Sequence, residues 1–572
     1  VNSNTTDGAP RLTIELVDRM ARSAVAGEAE WYLLGCDGVT EDEIARLLAT
    51  GEATEFCRRH RDVLVMRVGV VDGEAVRVEA WRGLFADPML FYAVRPSGEV
   101  IIGDHIRNLL ARLTPAERLP DERILTEHYL FRVVIGASTY SATVTKLKPA
   151  ELLVIDLGSG TVETEVFDRI DPASEPRRRD AYVDLVDAKL AEVTGGIDDG
   201  AGLMFSGGVD STLLMTYLRG RVDPVTFVPD TAEFGVETGY ARTAANLLGV
   251  RSTELPMPEA EFVSMVETAT DTAGIPCFDD ATPYIARTIR EAPQELMIAG
   301  QGADSAFGMS LKLARFASWF RWPVLRPAVS WASGWMPGHL GYRMRQVAPM
   351  AAGLSKAPLD PAGWAGTAMI FGDTSLFRRV ADPALITDIL TSQLEDVTDR
   401  LATPIDPGRT FLSHVELAQW MIVLYGPMTV ERLIATGSGK RVVAPYCSAA
   451  ILEALATIPL EDRYVRRLSA KWILKDLLER RLPAYPVNQR KRATALPQAR
   501  FFEDGPLTGI WERYDVPEIF AGSLRDELVA SSSPTAWNAF TYAVWEQRIA
   551  RNPTLAGHPV AVGVSHPIAH RG

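Results

Sequence analysis

A chain of 572 residues is long enough for two to four domains of about 100–200 residues each. Its 47% hydrophobic and 23% charged residues are those of an ordinary globular protein, and a net charge of −14 (59 basic against 73 acidic residues) argues against a general binder of nucleic acid or of an anionic membrane. The four scattered cysteines, Cys36, Cys57, Cys277 and Cys447, make neither a disulfide framework nor a C-x-x-C pair, which points to a reducing cytoplasm.

No apolar run reaches the roughly 18 residues of a membrane span, and no signal peptide opens the chain. Residues 1–10 are polar and expected to be loose. From Arg11 to about Arg59 the pattern reads as helical and acidic, clearest over Glu41–Leu48. Then the period changes. Asp62–Val71, Glu74–Arg82, Met89–Arg95 and Glu99–Ile102 read as strands punctuated by Asp-Gly and Ser-Gly turns, and Val144–Leu147 and Glu151–Asp156 read as a further pair. Helices fit His105–Leu113 and Leu125–Phe131. This sheet-rich first domain covers residues 1–170, and a linker rich in proline and charge follows over 171–180.

A helix over Ala181–Val193 then leads into the most informative stretch. Leu203-Met204-Phe205 reads as a buried strand, broken by Ser206-Gly207-Gly208-Val209-Asp210-Ser211 before a helix carrying Leu213, Leu214 and Leu218. Two glycines permit a tight turn that brings bare N–H groups close to an anion. The hydroxyls of Ser206 and Ser211 and the helix N-terminus add donors and positive potential. Asp210 is the odd member, because a carboxylate beside phosphates repels them unless a cation such as Mg²⁺ lies between. The pattern therefore predicts a site for pyrophosphate and its metal. The lysine of a Walker loop is absent.

Strands at Val225–Val228, Ser252–Leu255 and Glu295–Ala299 alternate with helices at Thr238–Leu248 and Pro283–Glu291, the rhythm of a parallel sheet with crossover helices. From Phe307 to about Arg480 the chain reads as mainly helical. This second domain covers 181–550, and residues 551–572 read as a loose tail.

Ser206–Ser211 resembles the PP-loop, S-G-G-x-D-S, of ATP pyrophosphatases. A second loop, Ala299-Gly300-Gln301-Gly302-Ala303-Asp304-Ser305-Ala306-Phe307-Gly308, resembles the G-E-G-A-D-E-L-F-G-G loop of glutamine-dependent asparagine synthetases, whose relatives include β-lactam synthetases and lasso-peptide cyclases. Further matches are Trp81–Tyr92 to D-R-x-G-x-K-P-L-Y-Y, Leu147–Leu153 to L-P-P-G-H, Val442–Tyr446 to R-x-P-F, Ser469–Lys475 to K-x-x-L-R, and Lys491–Pro497 to K-x-G-F-x-x-P. They run in order from about residue 60 to 500.

The resemblance implies an α/β protein: an N-terminal αββα sandwich of the Ntn-hydrolase type followed by an adenylating synthetase domain. In asparagine synthetases the sandwich releases ammonia from glutamine with an N-terminal cysteine. Here Val1 stands first, Cys36 and Cys57 are internal, and the first sixty residues contain no R-x-R-G or N-G-E pattern, so a glutaminase-dead, structural sandwich is expected. β-Lactam synthetases share that loss, which favours an internal amine over ammonia as nucleophile.

By the same resemblance the cofactors are ATP and Mg²⁺. Asp210 and Asp304 would share the metal, while Ser206, Gly207, Gly208 and Ser211 would hold pyrophosphate oxygens. Lys471 would neutralise the triphosphate, and Lys491 would stabilise charge developing during amide formation. Backbone at Val228 and Gly300 with Leu203 as apolar wall would receive adenine. At the variable position of the second loop this chain has Gln301, and a carboxamide cannot take a proton. Glu431 falls near the place where β-lactam synthetases keep a glutamate; a surface Glu431–Arg432 pair is the alternative reading. Tyr425 lies on the same predicted helix.

A run of Trp319, Phe320, Trp322, Trp331 and Trp335 with Arg315, Arg321 and Arg326 reads either as a surface for a peptide, carrier protein or large substrate, or as helical packing. The function expected is an ATP-dependent amide synthetase, preferably one that closes a ring within a small-molecule or peptide substrate in specialised metabolism. An ammonia-dependent asparagine synthetase and a non-catalytic scaffold are the alternatives. A precursor peptide, a carrier protein or a second copy of the chain remain open as partners; nucleic acid and membrane are not expected.

Overall fold

The computed structural model describes residues 12–18, 21–172, 177–231, 235–308, 376–403, 411–425, 428–463, 465–466, 469–488, 498–555 and 566–567. Lys491 with its surrounding motif and the aromatic run from Trp319 to Trp335 lie outside them.

The first ten strands are β1 (Leu12–Glu15), β2 (Arg22–Ala26), β3 (Ala29–Leu34), β4 (Leu64–Val71), β5 (Glu74–Arg82), β6 (Phe91–Val94), β7 (Val100–Gly103), β8 (Thr145–Lys146), β9 (Glu151–Asp156) and β10 (Val162–Val166). One sheet runs β1-β7-β6-β8, and the other runs β10-β9-β5-β4-β3-β2, with His566–Pro567 paired parallel to the edge at β2. Alternate residues of one strand enter different cores, as the two-residue period of a strand requires. On β4, Leu64, Met66 and Val68 meet Tyr92, Val100 and Ile102 of the facing sheet. Val65 points the other way, to Trp31, Trp81 and the helices Glu41–Thr50 and Ala53–Arg59. Beyond the four-stranded sheet, Phe91 and Ile101 pack with Leu109 and Ile124 of the helices Ile106–Arg112 and Glu122–Phe131. The layers are therefore αββα.

Much of the stretch from Arg11 to Arg59, expected to be helical, is strand. The β2–β3 hairpin turns at Gly27, with φ +61°, and its alanines and glutamates are helix formers whose propensity the pairing overrides. The helix at Glu41–Thr50 is as expected, opened by a capping box between Thr40 and Glu43.

The second sheet system is parallel throughout. Its strands are β11 (Gly202–Met204), β12 (Asp223–Pro229), β13 (Thr253–Met257), β14 (Leu296–Ile298) and β15 (Arg441–Val443), in the order β13-β12-β11-β14-β15. The chain moves outward from β11 to β13, then returns to place β14 on the other side of β11. Such a reversal opens a crevice at the carboxyl ends of the central strands, where α/β sheets bind ligands. β15 lies within the part expected to be helical; three residues of Arg-Val-Val carry too little pattern to mark a strand.

Candidate active site

The two loops predicted to meet do so at this crevice. Ser206–Gly208 follows β11, and Gly300–Gly302 follows β14. At Gly207, φ is +68°, and a Cβ would lie 2.5 Å from backbone atoms of Ala241, so the loop is pressed onto the helix Gly235–Leu248. Tyr485 donates its hydroxyl to the Gly207 carbonyl at 2.6 Å. Gly208 is the N-cap of the helix Val209–Leu218, and Ser206 Oγ accepts from its N–H at 3.3 Å and lies 3.3 Å from Ser211 Oγ. A Cβ on Gly300 would stand 3.5 Å from Asp210 Cβ and from Ser211 N, which puts the loops in direct contact. At Gly302, φ is +86° and a Cβ would fall 2.2 Å from Cys447 Sγ. Ala299 N–H donates to the Val443 carbonyl at 2.8 Å, tying the second loop to β15.

Lys471 joins the loops. Its Nζ is 2.7 Å from Asp210 Oδ2 and 2.7 Å from Asp304 Oδ1. The Asp210 side chain is 16% exposed and that of Asp304 79%, so one carboxylate faces the protein and the other the crevice. Burial alone would lower the Lys471 pKa, but the two carboxylates outweigh it and raise the value. The backbone at Lys471 is left-handed, φ 56°, one of four such non-glycine residues described. That conformation costs about 1–2 kcal/mol and aims the ammonium from the N-cap of the helix Trp472–Arg481 back at the loops. Asp210 also sits in the first turn of its own helix, where a negative charge is favourable. Its Oδ1 is buried with no hydrogen-bond partner.

That orphaned oxygen is what a hard cation would satisfy, and Asp304 offers a second carboxylate across the gap. The residues therefore fit Mg²⁺, with the Ser206–Ser211 loop fitting the phosphates it accompanies. Among the described residues no cluster of three or more metal-ligating side chains occurs.

Other predicted residues fall differently. Val228 is half-buried near the end of β12. Leu203 is fully buried in the core beneath the loop rather than on a wall of the crevice. Gln301 is half-buried, and its carbonyl accepts from the Cys447 thiol at 3.8 Å. Burial pushes that thiol up to about 12.

Glu431, on the helix Met428–Gly437, is 5% exposed, with Oε2 lacking a partner. Burial, then the charges of Asp279 and Asp87, push it up to about 8. The surface-pair reading fails, since neighbouring Arg432 reaches instead to Asp18 at 2.7 Å and Asp87 at 3.1 Å in the sandwich. Tyr425 donates to Asp396, which also receives Lys148 at 2.5 Å and Arg400 at 2.9 Å. It is thereby committed to a structural ion cluster.

Sequence reading missed Tyr446, whose hydroxyl donates to the Asp210 carbonyl at 3.0 Å, and Tyr485. Tyr446 stands inside the Val442–Tyr446 stretch and so had a signal. Tyr485 had none. Behind the second loop, a cavity of about 810 Å³ extends from Cys447 and Pro445 to Asp62, Arg82 and Asp87 of the sandwich.

A family model described as Asparagine synthase matches residues 197–515, which include both loops, Glu431, Lys471 and Lys491. The chain belongs to the asparagine synthase family. No curated protein matches it. The family comprises ATP-dependent ligases that form amides, usually with Mg²⁺. No helix among the described residues is long and apolar enough to cross a membrane.

Proposed function

We propose that this asparagine synthase family member activates a substrate carboxylate with ATP, releasing pyrophosphate, and passes the acyl group to an amine with release of AMP. The observation that carries this reading is Lys471 held between Asp210 and Asp304, with Asp210 Oδ1 unpartnered, at the carboxyl ends of β11 and β14. Ser206, Gly207, Gly208 and Ser211 would hold the pyrophosphate oxygens, and Lys471 would turn to them its positive charge. Mg²⁺ on the two carboxylates would offset the charge of the leaving group.

Glu431 is the base we assign to the amine. With its pKa pushed up to about 8, the ionised fraction of this carboxyl, which grows as pH rises toward 8, is basic enough to take the proton of an ammonium. Lys491 would steady charge developing as the amide forms.

We further infer that the amine is carried by the substrate itself, in the manner of β-lactam synthetases and lasso cyclases. Supporting this are Gln301 at the variable position and the burial of the two thiols of the described sandwich. Cys36 and Cys57 are buried, and burial raises both, Cys36 to about 12. ATP–pyrophosphate exchange over a panel of amino acids and peptides tests the reading. Exchange driven by a substrate with both carboxylate and amine supports cyclisation. Exchange driven by aspartate, with ammonia-dependent product, replaces it with an asparagine synthetase, and absence of ATP binding leaves a scaffold.

A further inference from the structure

A cavity of about 540 Å³, lined by none of the residues of the two loops, opens where the sandwich meets the C-terminal helix. Arg107, Arg513 and Arg548 line it, with Asp271, Tyr514 and Gln547. Arg107 comes from the sandwich helix Ile106–Arg112, Asp271 from the helix Phe262–Ala273, and Arg548 from the turn that ends the helix Pro534–Trp545.

The charges in this cavity do not balance. Arg548 places Nε 3.0 Å from Asp271 Oδ1 and lies 3.6 Å from Glu267. Arg513 also pairs with Glu267, which receives the Tyr514 hydroxyl at 2.5 Å as well. Two carboxylates are thus shared among two guanidinium groups and a phenol. Arg107 has no ion pair among the described residues, and its Nε is buried without an acceptor. Burial lowers its pKa, Asp271 opposes that, and Arg548 adds to it. Its stem is pinned, since it lies against Gly274, where a Cβ would stand 2.8 Å from that of Arg107. The carboxylate whose charge reaches Arg107, Asp271, is already bonded to Arg548, and Glu267 is bonded to Arg513, so three guanidinium groups draw on two carboxylates. Arg107 is half-buried; its buried Nε forgoes a hydrogen bond that an anion entering the cavity would supply.

We propose that this cavity is a second anion site, which takes a small phosphate-class oxyanion on the guanidinium of Arg107, flanked by Arg513 and Arg548. A planar guanidinium fork suits a phosphate oxygen pair, and three elements from both halves of the chain supply the donors. Binding would draw the sandwich helix onto Phe262–Ala273. That helix shares a core with Val430 and Leu433, neighbours of Glu431, so the site is positioned to bias the synthetase half. The assignment does not depend on the proposed ligase reaction.

The test is calorimetric titration of the full chain with inorganic pyrophosphate, with and without a saturating ATP analogue bearing a non-cleavable α–β bridge. Wild type is expected to retain one pyrophosphate site when the analogue is present. Arg107→Gln should weaken that site at least tenfold. Gln547 is exposed, so Gln547→Glu leaves folding intact while placing a negative charge at the rim, and it should weaken the site to a similar extent. Absence of the retained site, or an affinity within threefold of wild type in the folded variants, overturns the proposal. Should Arg107→Gln fail to fold, Gln547→Glu decides alone.

Discussion

Lys471 and Asp210 stand 2.7 Å apart although the lysine must adopt a left-handed backbone to reach. In this arrangement the ammonium occupies ground that a divalent cation would otherwise take. Lys471→Met removes that competitor. Mg²⁺ alone should then raise the melting temperature of the variant more than that of wild type, while ATP–pyrophosphate exchange falls at least a hundredfold. Equal Mg²⁺ responses would mean that the carboxylates do not form a metal site.

The neighbouring Gly207 and Gly208 should respond to alanine very differently. At Gly207 the added Cβ meets the Ala241 backbone at 2.5 Å with φ +68°, and neither can yield, so Gly207→Ala is expected to cost about 2–4 kcal/mol. Gly208 has φ −74°, and its nearest neighbour is the Ser206 hydroxyl at 3.3 Å. Gly208→Ala should stay within about 0.5 kcal/mol of wild type, yet raise the KM for ATP if phosphate rests on its N–H. Urea denaturation and exchange kinetics measure both.

Glu431 links stability to pH. It titrates near 4.5 when unfolded and about 8 when folded, because of burial and then Asp279 and Asp87. Between those values the folded chain holds a proton that the unfolded chain has released. The raised pKa therefore contributes fully below about pH 4.5, and the contribution is lost as pH rises toward 8. Glu431→Gln should match wild type near pH 5 and exceed it at pH 8, the gap growing by roughly 1.4 kcal/mol at most per pH unit. In turnover the variant should keep adenylation and slow acyl transfer. A stability gap independent of pH would remove the buried proton from the account.

The ion cluster around Arg400 makes a stability prediction remote from the crevice. Arg400 is fully buried and depends on Asp396 at 2.9 Å and the Pro149 carbonyl at 2.8 Å. Asp396→Ala leaves a buried guanidinium without its nearest carboxylate, at a cost of about 3–5 kcal/mol. Below the melting temperature, exchange activity should persist. A loss under 1 kcal/mol would show that Glu151, 4.0 Å from Arg400, suffices.

Legibility followed the locality of each constraint. The turn at Ser206–Ser211 between strand and helix could be read because its glycines, hydroxyls and carboxylate stand at fixed offsets within one turn, after a short apolar run. Strands from Leu64 to Gly103 could be read because apolar side chains and Gly turns recur along them. β2 and β3 could not, since Ala24, Ala26, Ala29 and Glu30 favour helix until paired. Lys471 was found only through its resemblance; nothing in Ser469–Lys475 announces a left-handed residue aimed at two aspartates. Tyr485 was missed because a hydroxyl on a backbone carbonyl leaves no pattern. Leu203 was placed on the crevice by analogy, whereas the sheet turns it into the core.

The bond from Ala299 to Val443 has a consequence for the order in which the molecule can be made. During synthesis both crevice loops emerge early, yet the strand that fixes the second one arrives only with residues 441–443, and Lys471 and Tyr485 arrive later still. A nascent chain must therefore keep the edge of β14 unpaired across the intervening segment, exposed to the wrong strand. Affinity for ATP should arise in a single late step of biogenesis rather than accumulate as the loops are translated.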